Sequence, residues 1–493
     1  MTNVSDLFPA GGGNNTIELV ASGALGNGDK VILQSDGTVK VVGLDSIPLA
    51  LPAASSVQYY SSSTGRSFSQ TNPYNTSQFV VAYTLGSNNY AYCVVGTVTG
   101  TVISFNTPTA FNTVSTTIAG ITFDTNTSGS FVITFHPSST EYGTAIAGNI
   151  SGTSLTFGTA VVYNSALSYG ESVAFDPAGG SFVVAYRSGN WSSNSGRAIV
   201  GTVTGTTISF GSYSQFSDRT SVDYIQFDPN QTSKFIIAYG DNSSSNYGTL
   251  IVGTRTGTTL SWGSEYRLDN RYATTISLSF DPHTSGRFMV GFTDSGNSND
   301  GYTMVGTISG SSISLGSAQV FDTGNAQSIA PVWDTSTANA FILVYKNNIN
   351  NGYGTVIQCT VSSTTVTFGT STVYVSVSTS WPTPIDIGSN VGKIVVTYKD
   401  STNSGAGTAI LLQLPAQITN LTSTNLLGIA QATVADTETV EVETLGGLAT
   451  NLSGLTIGSK YYVQDDGTIT TSSAGQFLGR AITATTINMK DFT

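Results

Sequence analysis

The chain has 493 residues, enough for two or three domains or one extended repeat array, so core size does not limit its stability. Only 9% of its residues are charged and the net charge is -12, with 17 Lys+Arg against 29 Asp+Glu. No basic cluster interrupts that balance, which argues against a phosphate backbone, so nucleic acid is not an expected partner.

The N-terminal segment MTNVSDLFPAGGGNNTIE has no basic n-region and no apolar h-region, and no apolar run approaches the length of a bilayer span. The expectation is a chain made in the cytosol, without an export signal and without membrane insertion. Leu25 to Val39 then reads LGNGDKVILQSDGTV, and Leu455 to Ile469 reads LTIGSKYYVQDDGTI, with seven matches at a constant offset of 430. LLGIAQAT at Leu426 is similar to FLGRAITA at Phe477, an offset of 51. In the C-terminal copy the two motifs run on continuously, whereas the N-terminal copy is interrupted from about residue 45 to about 420. This reads as a small discontinuous β-domain of two related units, 1–48 with 416–493, carrying an insertion over 49–415. The pairs Asp36-Gly37 and Asp466-Gly467 read as hairpin turns, with a calcium site as the alternative.

Within the insertion an apolar strand of the form FVVAY starts at Phe79, Phe131, Phe182, Phe235, Phe288, Phe341 and Ile394, at spacings of 52, 51, 53, 53, 53 and 53. That period fits one four-stranded blade per repeat, so the fold class is all-β, a seven-bladed β-propeller. The third copy reads SVAFDP, SFVVAY, GRAIVGTV, TTISFG, four strand signals with no helical periodicity. Gly100, Gly152, Gly205, Gly257 and Gly310 supply the tight turn between the third and fourth strands. The seventh copy lacks an ISFG-like fourth strand, and the stretch near Val57 to Tyr60 is expected to supply it and close the ring. Cys93 and Cys359 fall in equivalent strands of non-adjacent repeats and are read as buried free thiols.

A catalytic constellation is hard to assemble from two histidines and few lysines, and G-x-S-x-G and H-E-x-x-H are both missing. His136 and His283 read as ordinary turn residues, enzyme activity is not expected, and no cofactor or metal is implied. Asp124, Asp176, Asp228, Asp281, Asp334 and Asp386, with Asn72 in the first copy, precede each FVVAY-type strand. They read as turn-fixing residues, a ring of calcium ligands being the alternative. Recognition is placed on the variable loops between second and third strands. Tyr90, Tyr142, Tyr247 and Tyr353 share one aligned position there, with Trp191 in the third loop and Asn89 and Asn246 among the neighbouring amides. Aromatic faces beside amides suit a neutral sugar surface. The competing reading, favoured by the repetition, is that each Tyr caps its own hairpin.

The segments LGIAQATVADTETVEV and GLTIGSKYYVQDDGTITTSSAGQFLGRAITATTINMKDF, and the FVVAY blades, resemble structural proteins of tailed bacteriophages. The resemblance implies a virion location after assembly in the host cytoplasm, and a fibre, tail-appendage or capsid-decoration role. It further implies docking of the terminal domain to other virion proteins or as a homo-oligomer, with an outward propeller whose candidate ligand is a host surface glycan. A bacterial cell-surface or free lectin is the alternative, and a degenerate glycoside hydrolase the third reading.

Overall fold

The structure is a computed structural model that describes residues 15–190, 193–218, 220–242, 247–269, 271–388, 392–450 and 452–489. Every regular element among them is a β-strand, so the chain is all-β. It divides into two compact parts, one holding residues up to Ile47 and from Ala416 onward, the other Pro48–Pro415.

The inserted part repeats one antiparallel arrangement. In the fourth repeat Thr220–Phe227 pairs with Lys234–Asp241, which pairs with Tyr247–Thr256. The second strand of each repeat is the FVVAY-type segment, and Gln78–Thr84 is buried at every position. A sheet packed on one face would show alternation; this strand is covered on both faces by neighbouring repeats, which is why it reads as a continuous apolar run. The cores accordingly lie between repeats. Ile236 and Leu250 of the fourth pack with Phe288 and Met304 of the fifth, and Phe79 and Val81 of the first pack with Val395 and Leu411 of the seventh.

Glycines of the third strand set how closely these strands approach. A Cβ at Gly96, Gly148 or Gly201 would lie 2.2 Å from the ring of Phe79, Phe131 or Phe182 on the paired strand. The Phe of FVVAY and the second Gly of the GTAIVG-type strand are therefore one packing unit.

The outer edge differs from the expected single fourth strand. Each ISFG-type strand pairs with one end of the third strand, and a further short segment pairs with the other end: Thr259–Trp262 and Tyr266–Arg267 both lie on Tyr247–Thr256. Two of these later segments run on into the next repeat as the long strands Val161–Phe175 and Thr372–Asp386. Val57–Ser63 does pair with Ala406–Gln413 of the seventh repeat, as the counterpart of the later segment. The ISFG position is filled separately, where Ala50 bridges Gln413 and the Ala53 N–H donates to the Leu411 carbonyl at 2.8 Å.

The seventh repeat adjoins the first. Ser69 Oγ lies 2.9 Å from Thr397 Oγ1, and Thr71 Oγ1 donates to the Asp386 carbonyl at 2.6 Å. Lys393 Nζ donates to the Gly100 carbonyl at 2.7 Å, the same bond that Lys234 makes to Gly310 between the fourth and fifth repeats.

The terminal part is duplicated. One sheet runs Thr16–Val20, Thr439–Thr444, Leu426–Ala430, Lys30–Leu33, Val39–Val41. The other runs Leu448–Ala449, Ile487–Asn488, Gln476–Ala481, Lys460–Val463, Ile469–Thr470, the same order with the matching motifs in matching places. Ile32 and Ile429 of the first share a core with Val463 and Leu478 of the second. The Gln-x-Asp-Gly-Thr motif is a closed turn in both: the Thr38 N–H donates to Asp36 Oδ1 at 3.0 Å and the Thr468 N–H to Asp466 Oδ1 at 2.9 Å. Gly37 and Gly467 take φ of 86° and 81°, which a side chain would resist.

Candidate functional site

The tyrosines singled out by sequence sit where their hairpins put them. Tyr142, Tyr247 and Tyr353 open the third strands of their repeats and Tyr90 lies one residue before its own. Asn89 is exposed at the hairpin tip with φ of 55°. Among the described residues none of the four rings packs on another; Tyr247 lies under the Arg267 guanidinium at 5.8 Å. They are distributed one to a repeat. Trp191 and Asn246 lie outside the described residues.

The repeated aspartates hold repeats together. In each of Asp124, Asp176, Asp228, Asp281 and Asp334 one carboxylate oxygen accepts the N–H two residues on, at 2.8–2.9 Å. Several also reach the next repeat: Asp124 accepts from the Gly180 N–H, Asp176 from the Ser233 N–H and from Arg255 Nε at 2.7 Å, and Asp228 from the Gly286 N–H. Asp386 accepts from the Thr335 N–H, and burial pushes its carboxyl up to about 6 against that bond. These carboxylates spend their lone pairs on the scaffold.

His136 is not a turn residue. It is 8% exposed, in the strand Ser130–Pro137, with Nδ1 2.9 Å from Glu171 Oε2. The Tyr163 hydroxyl donates to the other oxygen of Glu171 at 3.0 Å. Burial acts to lower the His136 pKa, but the Glu171 hydrogen bond and the charges of Glu171 and Glu141 outweigh it and raise the value. His283 does lie in a turn, its Nε2 3.2 Å from the Asp334 carbonyl.

The concave feature that all seven repeats build together is a cavity of about 340 Å³ lined by their innermost strands. Each of the inner strands from the second repeat onward carries a β-bulge at one place: the register shifts at Ile118/Gly120, Tyr169/Ser172, Val222/Tyr224, Thr274/Ser277, Gln327/Ala330 and Ser380/Thr383. An extra residue there re-aims the backbone away from the ladder. The position lies 12 or 13 residues before each FVVAY-type strand and holds Arg66, Ala119, Gly170, Asp223, Thr275, Ser328 and Trp381, all lining the cavity. Thr275, Ser328 and Trp381 take φ of 51°, 52° and 51°. A left-handed backbone costs a non-glycine residue roughly 1–2 kcal/mol, and for a bulky side chain such as Trp it is a rare state. Three successive repeats thus place different side chains on one strained framework, a pattern associated with function.

The chemistry of the ring is mixed. Arg66 is exposed to water yet enclosed by the cavity walls, and desolvation lowers its pKa against the pull of Asp223 and Tyr224. Asp223 is half-buried; burial pushes its carboxyl up to about 7, opposed by the Arg66 charge and the Gly240 N–H. Trp381 is 39% exposed and Tyr224 37%. Sequence reading missed this column. Its signal was present as a position in the inner strand where seven repeats carry seven different residues.

No protein-family model and no curated protein matches the chain. Solved structures that are similar include Sqt1 of Saccharomyces cerevisiae, at 11% identity over 79% of this chain and 98% of that one, with a TM-score of 0.44. A protein from Lactobacillus plantarum is 12% identical over 74% of this chain and 97% of that one, TM-score 0.44. AofleA from Arthrobotrys oligospora is 9% identical over 71% of this chain and 96% of that one, TM-score 0.40.

Proposed function

We propose that the chain is a seven-bladed propeller that binds saccharide without transforming it, carried on a β-base made from both chain ends. The observation that carries this reading is the bulge ring: on a scaffold repeated seven times, a strained column lining the cavity carries a different residue in every repeat. Variation concentrated on a rigid frame marks recognition, and an aromatic face beside convergent polar groups in a concave site suits a sugar. The resemblance of the terminal segments to tailed-phage structural proteins supports a virion appendage or decoration role, with the base docking to other virion proteins or to further copies of itself. A glycan array probed with the purified full chain tests the binding, and mass spectrometry of purified virions tests the location. A chain that retains no glycan, or that is missing from particles, overturns the corresponding half.

A second reading, a glycoside hydrolase, is favoured by one observation: Asp223 is a cavity carboxyl held near neutrality, as a general acid would be. Glu171, the other carboxylate lining the cavity, is engaged by His136 and Tyr163. Release of reducing ends from a bound oligosaccharide would select this reading over the first.

A further inference from the structure

We propose that the cavity selects a carboxylated sugar residue, with the carboxylate on Arg66, the C–H face of the ring on Trp381 and the hydroxyls on Asp223 and Ser328. The inference rests on the reading of the cavity as a saccharide site and adds the charge class of what it takes.

Arg66 is the one cation among the described residues lining the cavity, and within the described residues it makes no ion pair. Its guanidinium rests over the Phe68 ring at 4.6 Å, which fixes the stem and leaves the planar fork of N–H donors for an acceptor. Such a fork in a confined site, where water screens poorly, matches a carboxylate in bidentate geometry.

Most other polar groups of the wall are already used. Gln70 accepts the Phe123 N–H at 2.8 Å and Gln226 the Phe280 N–H at 3.1 Å. Ser172 accepts the Ile225 N–H, and Ser277 donates to the Ile329 carbonyl. Glu171 is held by His136 and Tyr163, so it does not serve Arg66. What remains to face a ligand is one guanidinium, one carboxyl, a serine hydroxyl and two aromatic rings. One guanidinium without an ion-pair partner among the described residues matches one carboxylate, and the Asp223 carboxyl and Ser328 hydroxyl offer partners for several hydroxyls. A polyanion would meet Asp223 without a second cation among the described lining residues, Lys399 standing over the Trp381 ring at 5.8 Å and outside the lining. The volume, about 340 Å³, falls at the small end of ligand pockets and suits one sugar ring with its substituents.

The test is calorimetric titration of the full chain with methyl galacturonide and with methyl galactoside, which differ only at C6, a carboxylate in one and a hydroxymethyl group in the other. The acid should bind at least about tenfold more tightly, the scale expected of a charge-assisted bidentate pair. Arg66→Gln should abolish that ratio while leaving the weaker neutral binding, Arg66→Lys should restore part of it, and Trp381→Ala should weaken both ligands. Melting curves of the variants establish that they are folded. Equal affinities in the unaltered chain, or a preference that survives Arg66→Gln in a folded protein, overturn the inference. If the glycan array retains neutral glycans alone, only this inference fails; if neither monosaccharide nor any arrayed glycan binds, the saccharide reading fails with it.

Discussion

Asp176 shows how one side chain joins its own turn to the following repeat. It accepts from the Ala178 N–H of its own turn, and from the Ser233 N–H and Arg255 Nε of the following repeat, at 2.8, 3.1 and 2.7 Å, with the carboxylate fully buried. Removing the charge strands Arg255, so Asp176→Asn should cost about 3 kcal/mol in urea unfolding. Asp36→Asn, in an exposed turn, should fall within about 0.5 kcal/mol of the parent. His136 makes stability depend on pH. Its pKa is raised on folding, so its contribution is complete below the ordinary histidine value and is lost as pH rises through the raised one. Stability measured by urea titration should therefore decline above about pH 6.5, the ordinary histidine value, and His136→Gln should flatten that part of the profile. Asp223 behaves similarly: its pKa is raised to about 7, so ionisation costs folding free energy as pH rises. Asp223→Asn should be more stable than the parent above pH 7, by on the order of 1 kcal/mol, with the advantage shrinking as pH falls toward 4.

At the scale of the element, what could be read in the amino acids was whatever burial writes into a pattern. The second strands stand out because both faces are covered, and the turn glycines at 100, 152, 205, 257 and 310 because each takes φ near 60°. The bulges were invisible for a physical reason: one extra residue changes which strand neighbour a side chain meets without changing the apolar run around it. The two-piece outer strand was hidden similarly, since its later half is short and two copies merge into the following repeat. The hairpin tyrosines attracted notice by composition, and aligned identity is what a structural role predicts, whereas a column that differs in every repeat lines the cavity. Two substitutions test the packing. Gly253→Ala would put a Cβ 2.1 Å from the Phe235 ring and should cost about 2 kcal/mol. Tyr59, 5% exposed in the strand that pairs with the seventh repeat, packs on Tyr83 and Phe105. Tyr59→Ala should cost at least about 3 kcal/mol and weaken closure between the first and seventh repeats, seen as faster hydrogen exchange in Val57–Ser63 and Ala406–Gln413.

For the whole molecule, the insertion enters and leaves through a paired stem, with Leu44–Ile47 antiparallel to Ala416–Thr419 and Ile47 opposite Ala416. A two-residue turn can join those ends, so a chain lacking residues 48–415 should fold on the two five-stranded sheets and their shared core. Its circular dichroism should show a cooperative melt, and a virion role predicts that it still incorporates into particles. We propose that recognition belongs to the cavity ring and not to the hairpin tyrosines. The most direct measurement is a crystal structure of the full chain soaked with methyl galacturonide. Density is expected between Arg66 and Trp381; density lying instead against Tyr90, Tyr142, Tyr247 or Tyr353, with the cavity holding only solvent, rules the cavity assignment out.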